Sequence, residues 1–147
     1  MYELNSIIAT YQPIKNICNK FNLRYLMLQI DIYMIPMIKK YHKIFKLHDN
    51  YPEWGLCSEF LLSELIDNSK DGIIAYVEAL YHGGTGSKNA VIFEGQVEKL
   101  RIINDHDAIN KVLKYFKISP NDSKDEFEYI KLNKYRDTED WIKDFIN

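Results

Sequence analysis

The residues that most suggest chemistry surround a glycine-rich segment in the middle of the chain. Three of the six glycines fall within residues 83–86, between two apolar runs. A phosphate-binding loop would need a Gly-Lys-Ser/Thr ending, and a dinucleotide fingerprint would need a third glycine or alanine where Asn89 stands. Because glycine adopts positive φ without steric cost, the pattern predicts a β-hairpin loop instead. His82 and Thr85 of this loop are candidates for contact with a partner.

A second candidate chemistry is the acid–base cleavage of RNA by His82, Lys88 and His106. Imidazole groups titrate near neutral pH, so two histidines and a lysine suit both proton transfers of that reaction. No Gly-x-Ser-x-Gly motif places a serine nucleophile in its usual context. We expect a protein without catalytic residues, and a small nuclease or nucleotide-binding enzyme that uses His82 and His106 is the alternative.

The metal-ligating residue types are scattered along the chain. Four histidines and two cysteines lack the short spacing of a zinc site, so we expect no metal ion and no cofactor. Two cysteines do not make a disulfide framework, and Cys18 and Cys57 are predicted to be free, buried thiols in a reducing compartment. No basic leader is visible and no stretch is long and apolar enough to span a bilayer. We therefore expect a cytoplasmic protein with no membrane partner.

Charge is distributed unevenly behind a formal net charge of −2. Residues 1–48 carry seven basic and two acidic side chains, residues 49–120 carry seven and eleven, and residues 121–147 carry five and eight. A basic segment favours nucleic acid as a partner, and an acidic remainder favours a cationic partner. Neutralisation of one part by the other within the fold is the simpler interpretation.

The basic residues of the first third include four lysines at helical spacing. Apolar residues lie between them, which is typical of the solvent face of an amphipathic helix. A nucleic-acid-binding face would have the same composition, and its binding would depend steeply on salt. We expect the solvent face and no nucleic-acid partner. The four lysines are Lys39, Lys40, Lys43 and Lys46.

The elements that must position these residues follow from apolar periodicity, caps and turn residues. The sequence predicts a single-domain α+β fold, with a mostly antiparallel sheet and helices packed on it. Ser58 and Thr138 are predicted to begin helices, and no element is assigned to residues 1–12. The predicted helices cover 14–21, 37–47, 59–67, 106–116 and 139–146, with a strand as the alternative for 37–47. The predicted strands cover 23–35, 73–81, 90–93 and 97–103, and residues 126–132 form a short helix or strand.

Two segments of the C-terminal half resemble known bacterial proteins. They are Tyr76-Val77-Glu78-Ala79-Leu80-Tyr81-His82-Gly83-Gly84-Thr85-Gly86-Ser87-Lys88-Asn89-Ala90-Val91 and Lys134-Tyr135-Arg136-Asp137-Thr138-Glu139-Asp140-Trp141, with Asp107-Ala108-Ile109-Asn110 and Asp125-Glu126-Phe127 between them. The order is similar to that in small uncharacterised bacterial proteins and in immunity proteins encoded beside polymorphic or contact-dependent toxins. The resemblance implies a cytoplasmic inhibitor that binds a cognate toxin domain and has no chemistry of its own.

Acidic residues are clustered in the same half of the chain. Carboxylates at helix starts stabilise the helix dipole, which explains many of them without a function. A displayed acidic surface would also bind a basic partner rapidly, since complementary potentials raise the association rate. We therefore predict binding of a cognate toxin domain, itself basic, through the loop residues and these acids. The predicted partner-binding residues are His82, Thr85, Asp105, Asp107, Asp122, Asp125, Glu126, Asp137 and Asp140.

Overall fold

A mixed helix and strand architecture is present in the computed structural model, which describes residues 1–47, 57–83, 85–121 and 124–146. Two short 3₁₀ helices, Ser69–Asp71 and Thr138–Asp144, accompany the main elements. In chain order the main elements are β1 (Tyr2–Ala9), α1 (Tyr11–Phe21), β2 (Leu26–Gln29), β3 (Ile32–Pro36), α2 (Lys39–Phe45), α3 (Glu59–Asn68), β4 (Ile73–His82), β5 (Thr85–Glu94), β6 (Val97–Ile102), α4 (Ala108–Tyr115) and α5 (Glu126–Tyr129).

The strands described here form one six-stranded sheet in the order β2-β3-β1-β4-β5-β6. Every neighbouring pair is antiparallel, which confirms the predicted α+β class. Helices cover both faces. The three-helix face, with Ile7, Tyr76 and Val91 at its centre, packs against α1, α2 and α3. The C-terminal face, with Ile8 and Val77, packs against α4, α5 and residues 130–141.

The central strand β1 was not predicted from the sequence. It pairs with β3 on one side and with β4 on the other, and residues 4–9 are all buried. A strand covered on both faces does not alternate between apolar and polar residues, because both sets of side chains are buried. The polar residues Asn5 and Ser6 also interrupt its apolar run.

The predicted strand over 23–35 is wrong, because the chain turns back on itself within it. β2 and β3 form a hairpin in which Met27 pairs with Tyr33. Ile30 at the turn is 79% exposed, and Asp31 has a φ of 66°, a left-handed conformation that Asp tolerates. Apolar residues continue to alternate through the turn, so periodicity alone does not reveal it.

The helices begin and end close to their predicted positions, but the caps of the last two predicted helices differ: α4 begins after Asp107 rather than after Asn104-Asp105. Ser58 begins α3, and its hydroxyl accepts a hydrogen bond from Leu61 N–H. The last helix is a 3₁₀ helix, and the carboxylate of Asp137, rather than the predicted Thr138, caps it by accepting from Glu139 N–H. Thr138 instead accepts a hydrogen bond from Asn5 N–H at 3.1 Å. This bond ties the C-terminal segment to the edge of β1 that β3 does not reach.

The glycine-rich segment connects β4 to β5 as a hairpin, as predicted. The register extends from Ile73 opposite Glu94 to His82 opposite Thr85, so β5 is longer than the predicted strand. A Cβ atom at Gly86 would clash with the carbonyl oxygen of Leu80, which explains the glycine there. No helix of the described residues has the length and apolar character needed to cross a membrane.

Candidate functional site

A row of polar side chains crosses the three central strands on the three-helix face. Asn5 of β1 is the register partner of Glu78 of β4, and Glu78 is the partner of Asn89 of β5. Their side chains share the face of Ile7, Tyr76 and Val91 because alternate strand residues point the same way. Asn5 and Glu78 are each 6% exposed and Asn89 is 8% exposed. Buried polar groups at this position need a structural or functional explanation.

Glu78 and Asn89 have structural partners. The carboxylate of Glu78 accepts a hydrogen bond from Cys57 N–H at 3.0 Å and faces Asn89 Nδ2 at 3.5 Å. Asn89 Oδ1 accepts a bond from Asn104 N–H at 2.7 Å. These bonds connect the start of α3 and the chain after β6 to the centre of the sheet.

Asn5 differs from both of its neighbours. Its backbone N–H donates to Thr138 Oγ1, and its carbonyl accepts from Met37 N–H at 2.7 Å. Its side-chain amide has no hydrogen-bond partner within the part of the chain that the structure describes. The residue as a whole is 6% exposed, but its amide atoms keep contact with solvent, so a group that enters from outside can reach them.

Two cavities adjoin this polar row and share Glu3 and Asn5 as lining residues. The larger has a volume of about 300 Å³, and the smaller has a volume of about 150 Å³. Together we name them the acidic groove. The described residues that line the larger cavity are Glu3, Asn5, Glu78, Ala79, Leu80, Ser87 and Asn89, and those that line the smaller cavity are Glu3, Asn5, Met37, Lys39, His42, Asp137 and Glu139.

Carboxylates dominate the electrostatics of the acidic groove. Glu3 accepts from the Thr138 hydroxyl at 2.9 Å, and Glu139 accepts from Lys39 N–H at 2.8 Å. Among the described residues, no Lys or Arg side chain forms an ion pair with Glu3, Asp137 or Glu139. With Glu78, four carboxylates thus line the groove, and a cation from outside would be attracted to it.

The Glu78 carboxylate also affects Tyr76, which is fully buried two residues before it in β4. Burial and the Glu78 carboxylate raise the pKa of Tyr76 well above its usual range, because both disfavour a phenolate. Tyr76 is therefore a neutral part of the core and does not serve as a base.

The predicted acids Asp105, Asp107 and Asp125 lie close to Lys88, on the C-terminal side of the sheet. Asp105 forms an ion pair of 2.6 Å with Lys111, and the hydrogen bond from Lys111 lowers the pKa of the Asp105 carboxyl. Asp107 is exposed, and its backbone N–H donates to Asp105 Oδ1.

Asp125 has two local partners. It caps α5 by accepting from Glu128 N–H at 2.9 Å and accepts from Asn110 Nδ2 at 3.1 Å. Two of the three acids of this group, Asp105 and Asp125, are therefore bound to groups of the same face.

Lys88 and His106 belong to this same region. The Lys88 ammonium lies over the rings of Tyr81 at 5.2 Å and Phe127 at 5.1 Å. Burial lowers the pKa of Lys88, partly offset by the charges of nearby aspartates. His106 Nδ1 lies 2.8 Å from the Tyr81 hydroxyl. His82 follows Tyr81 in β4 and so points to the other face, and the structure does not bring the two histidines together.

The remaining predicted residues are dispersed. Thr85 is exposed beside His82 at the hairpin end. Glu126 is buried, so its predicted place on the surface is wrong; its backbone begins α5. Asp140 lies 3.8 Å from Lys143. Of the predicted set, only Asp137 lines the acidic groove, and Asp122 lies outside the described residues.

Four residues that line the acidic groove were not predicted as site residues from the sequence: Glu3, Asn5, Glu78 and Asn89. For Glu78 the signal was a single polar residue between the apolar Val77 and Ala79. Such a residue is costly to bury, so it is informative once the strand is known to be central. Asn5 and Asn89 have polar neighbours in the sequence, so this pattern does not mark them.

Neither cysteine is among the described residues that line the acidic groove. Cys18 and Cys57 are free and buried, as predicted. Burial raises the pKa of the Cys18 thiol to about 12, and burial together with the Glu78 charge raises that of Cys57. Neither thiol is activated as a nucleophile. Within the described ranges, no group of three or more His, Cys, Asp and Glu side chains is placed to hold a metal ion.

Comparison with models of known protein families finds no match, and comparisons with curated proteins and with solved structures find no significant match.

Proposed function

We propose that this chain is a non-catalytic cytoplasmic immunity protein that neutralises a cognate bacterial toxin by binding it directly. The observation that carries the proposal is the acidic groove, where four carboxylates surround two adjoining cavities. The resemblance of residues 76–91 and 134–141 to toxin-immunity proteins supports the same conclusion. Both segments contribute to the groove, through Glu78 and Asn89 in the first and Asp137 and Glu139 in the second.

The toxin domain in this proposal is basic. Toxins that act on nucleic acid need a cationic surface to hold phosphates, and a carboxylate-lined groove is complementary to such a surface. Complementary charge raises association rates to about 10⁸–10⁹ M⁻¹s⁻¹ at low salt. An inhibitor that must act before its toxin damages the cell benefits from this speed.

Co-expression tests the proposal. The open reading frame beside the gene is expressed alone and together with this chain, and growth and co-purification are measured. We expect the neighbouring product to be toxic alone, and the chain to restore growth and co-purify with it. A neighbour that is harmless alone, or a chain that neither restores growth nor co-purifies, would contradict the proposal.

The alternative is a small nuclease, which the contact between His106 and Tyr81 beside Lys88 would favour. Replacement of His82 and His106 by Ala separates the two functions. An enzyme would lose activity while its fold and melting temperature stay unchanged. The immunity protein would retain rescue of growth, because neither histidine lines the acidic groove.

The salt dependence of binding tests whether α2 binds nucleic acid. Lys39, Lys40 and Lys43 of α2, and Lys46 after it, are exposed, as a basic face requires. Such binding would weaken steeply with salt. We expect no binding of RNA or DNA oligonucleotides at physiological salt.

A further inference from the structure

Asn5 presents an unusual group to the acidic groove. Asn5 is 6% exposed and lines both cavities. Its side-chain amide has no hydrogen-bond partner among the described residues. The amide atoms keep contact with solvent, so they can exchange a water molecule for a ligand group. A ligand group that bonds the amide in the complex gives it a function.

We infer that the larger cavity receives one guanidinium group, the side chain of an arginine of the partner protein, and that Asn5 is a specificity-determining residue for it. This inference rests on the proposed function, since it names the group that the partner inserts. The acceptors come from different strands: Asn5 Oδ1 and the Glu3 carboxylate on β1, the Glu78 carboxylate on β4, and Ser87 Oγ on β5.

The volume and the lining of the larger cavity suit one side chain. Its volume of about 300 Å³ is at the lower end of the range for ligand pockets. Ala79 and Leu80 add apolar surface to the lining, against which the methylene stem of an arginine can pack while its charged end meets the carboxylates.

The number and spread of acceptors favour arginine over lysine. A guanidinium presents five N–H donors in one plane, whereas an ammonium is a compact and more strongly hydrated point charge. Donors in a plane can reach a carboxylate on one strand and an amide oxygen on the next. An anion would be repelled by Glu3 and Glu78.

An NMR titration of the free protein tests the inference. The probes are Nα-acetyl-L-arginine N-methylamide and the corresponding lysine and citrulline compounds, of which citrulline has the shape of arginine without its charge. We expect saturable shifts of the Asn5 side-chain amide with arginine, with a dissociation constant on the order of 1 mM, as suits a ligand this small. Lysine should bind at least about tenfold more weakly because it has fewer donors, and citrulline should cause no saturable shift.

Two groove variants and one control complete the titration. Glu78→Gln should weaken arginine binding at least about tenfold because a charge-assisted bond is lost, and Asn5→Val should abolish it. Asp105→Asn, on the opposite side of the sheet, should bind arginine like the wild type. Melting temperatures and amide spectra establish that each variant is folded. Equal shifts with citrulline and arginine, or no saturation at about ten times the expected constant, would overturn the inference.

The same variants distinguish this inference from the proposed function. If the chain neutralises and co-purifies with the toxin, yet Asn5→Val and Glu78→Gln bind the toxin as tightly as the wild type, the arginine site is wrong and the immunity function stands. If arginine saturates the groove but no toxin is neutralised, the cavity assignment stands and the immunity function is wrong.

Discussion

The two faces of the sheet both carry carboxylates near the β4–β5 hairpin, and they use them differently. On the C-terminal side, Asp105 is paired with Lys111 and Asp125 caps α5. On the three-helix face, Glu3 and Asp137 line the acidic groove without an ion pair among the described residues. Acids that cluster along the sequence are thus largely occupied by local structure, whereas Glu3 and Asp137 of the groove have no ion pair within the described part of the chain.

The three-helix face shows the same contrast between its two buried asparagines. The side chain of Asn89 accepts a hydrogen bond from Asn104 N–H. The side chain of Asn5 forms no hydrogen bond within the described part of the chain. They belong to one polar row, separated by Glu78. Asn89 stabilises the fold, and Asn5 is the residue for which we propose a role in binding.

The largest expected effect is the loss of partner binding in Glu78→Gln. Removing one charge of a buried, hydrogen-bonded pair costs about 3 kcal/mol, or roughly 100-fold in affinity. Isothermal titration calorimetry with the purified neighbouring gene product measures it. Asp105→Asn is the matched control and should change the dissociation constant by less than about threefold, since exposed pairs contribute little. Equal losses in the two variants would remove the distinction between the faces.

The next effect separates the two asparagines by stability. Asn89→Val should lower the free energy of unfolding by about 2 kcal/mol, because Asn104 N–H and Glu78 lose a partner. Asn5→Val should leave it within about 0.5 kcal/mol of the wild type, because the amide keeps contact with solvent and has no hydrogen bond among the described residues to lose. Urea denaturation measures both, and a destabilised Asn5→Val would indicate that its amide has a structural role.

A smaller effect is expected from the cap of α5. Asp125→Ala removes the acceptor of Glu128 N–H and should lower the free energy of unfolding by about 1 kcal/mol. Toxin affinity should remain within about twofold, because Asp125 is a capping residue away from the acidic groove. A large loss of affinity with little loss of stability would instead place the partner on the C-terminal face.

The smallest effect is a pH dependence on the C-terminal side. The Tyr115 hydroxyl donates to Glu94 at 2.6 Å, and this bond raises the pKa of Tyr115 from 10.0 to about 12. The stability it contributes is fully present below pH 10 and is lost as the pH rises to about 12, because only the unfolded chain releases the proton in that interval. The stability difference between wild type and Tyr115→Phe should therefore shrink across this interval. A constant difference would contradict the assignment.

Periodicity and caps were enough to predict α3, α4 and the β4–β5 hairpin. They failed for β1, where both faces are buried and Asn5 and Ser6 interrupt the apolar run. Because β1 brings Glu3 and Asn5 to the groove, missing that strand also concealed the site. Sequence clustering selected Asp105 and Asp125, whose carboxylates satisfy local groups.

The acids that line the larger cavity meet only through strand register. Glu3 and Glu78 are far apart in the chain and approach one another because β1 pairs with β4. Local patterns carry no information on that pairing, which depends on the packing of both faces. Asp137 was predicted for its charge, and its place in the groove follows from the bonds of residues 136–138 to β1.

The central claim is that the partner binds the acidic groove on the three-helix face. Its most direct test is the toxin affinity of two double variants, Glu3→Gln with Glu78→Gln, and Asp105→Asn with Asp125→Asn. We predict that the first loses at least about 100-fold in affinity and no longer restores growth, and that the second stays within about threefold of the wild type. The reverse order, with binding lost only in the second, would contradict the claim.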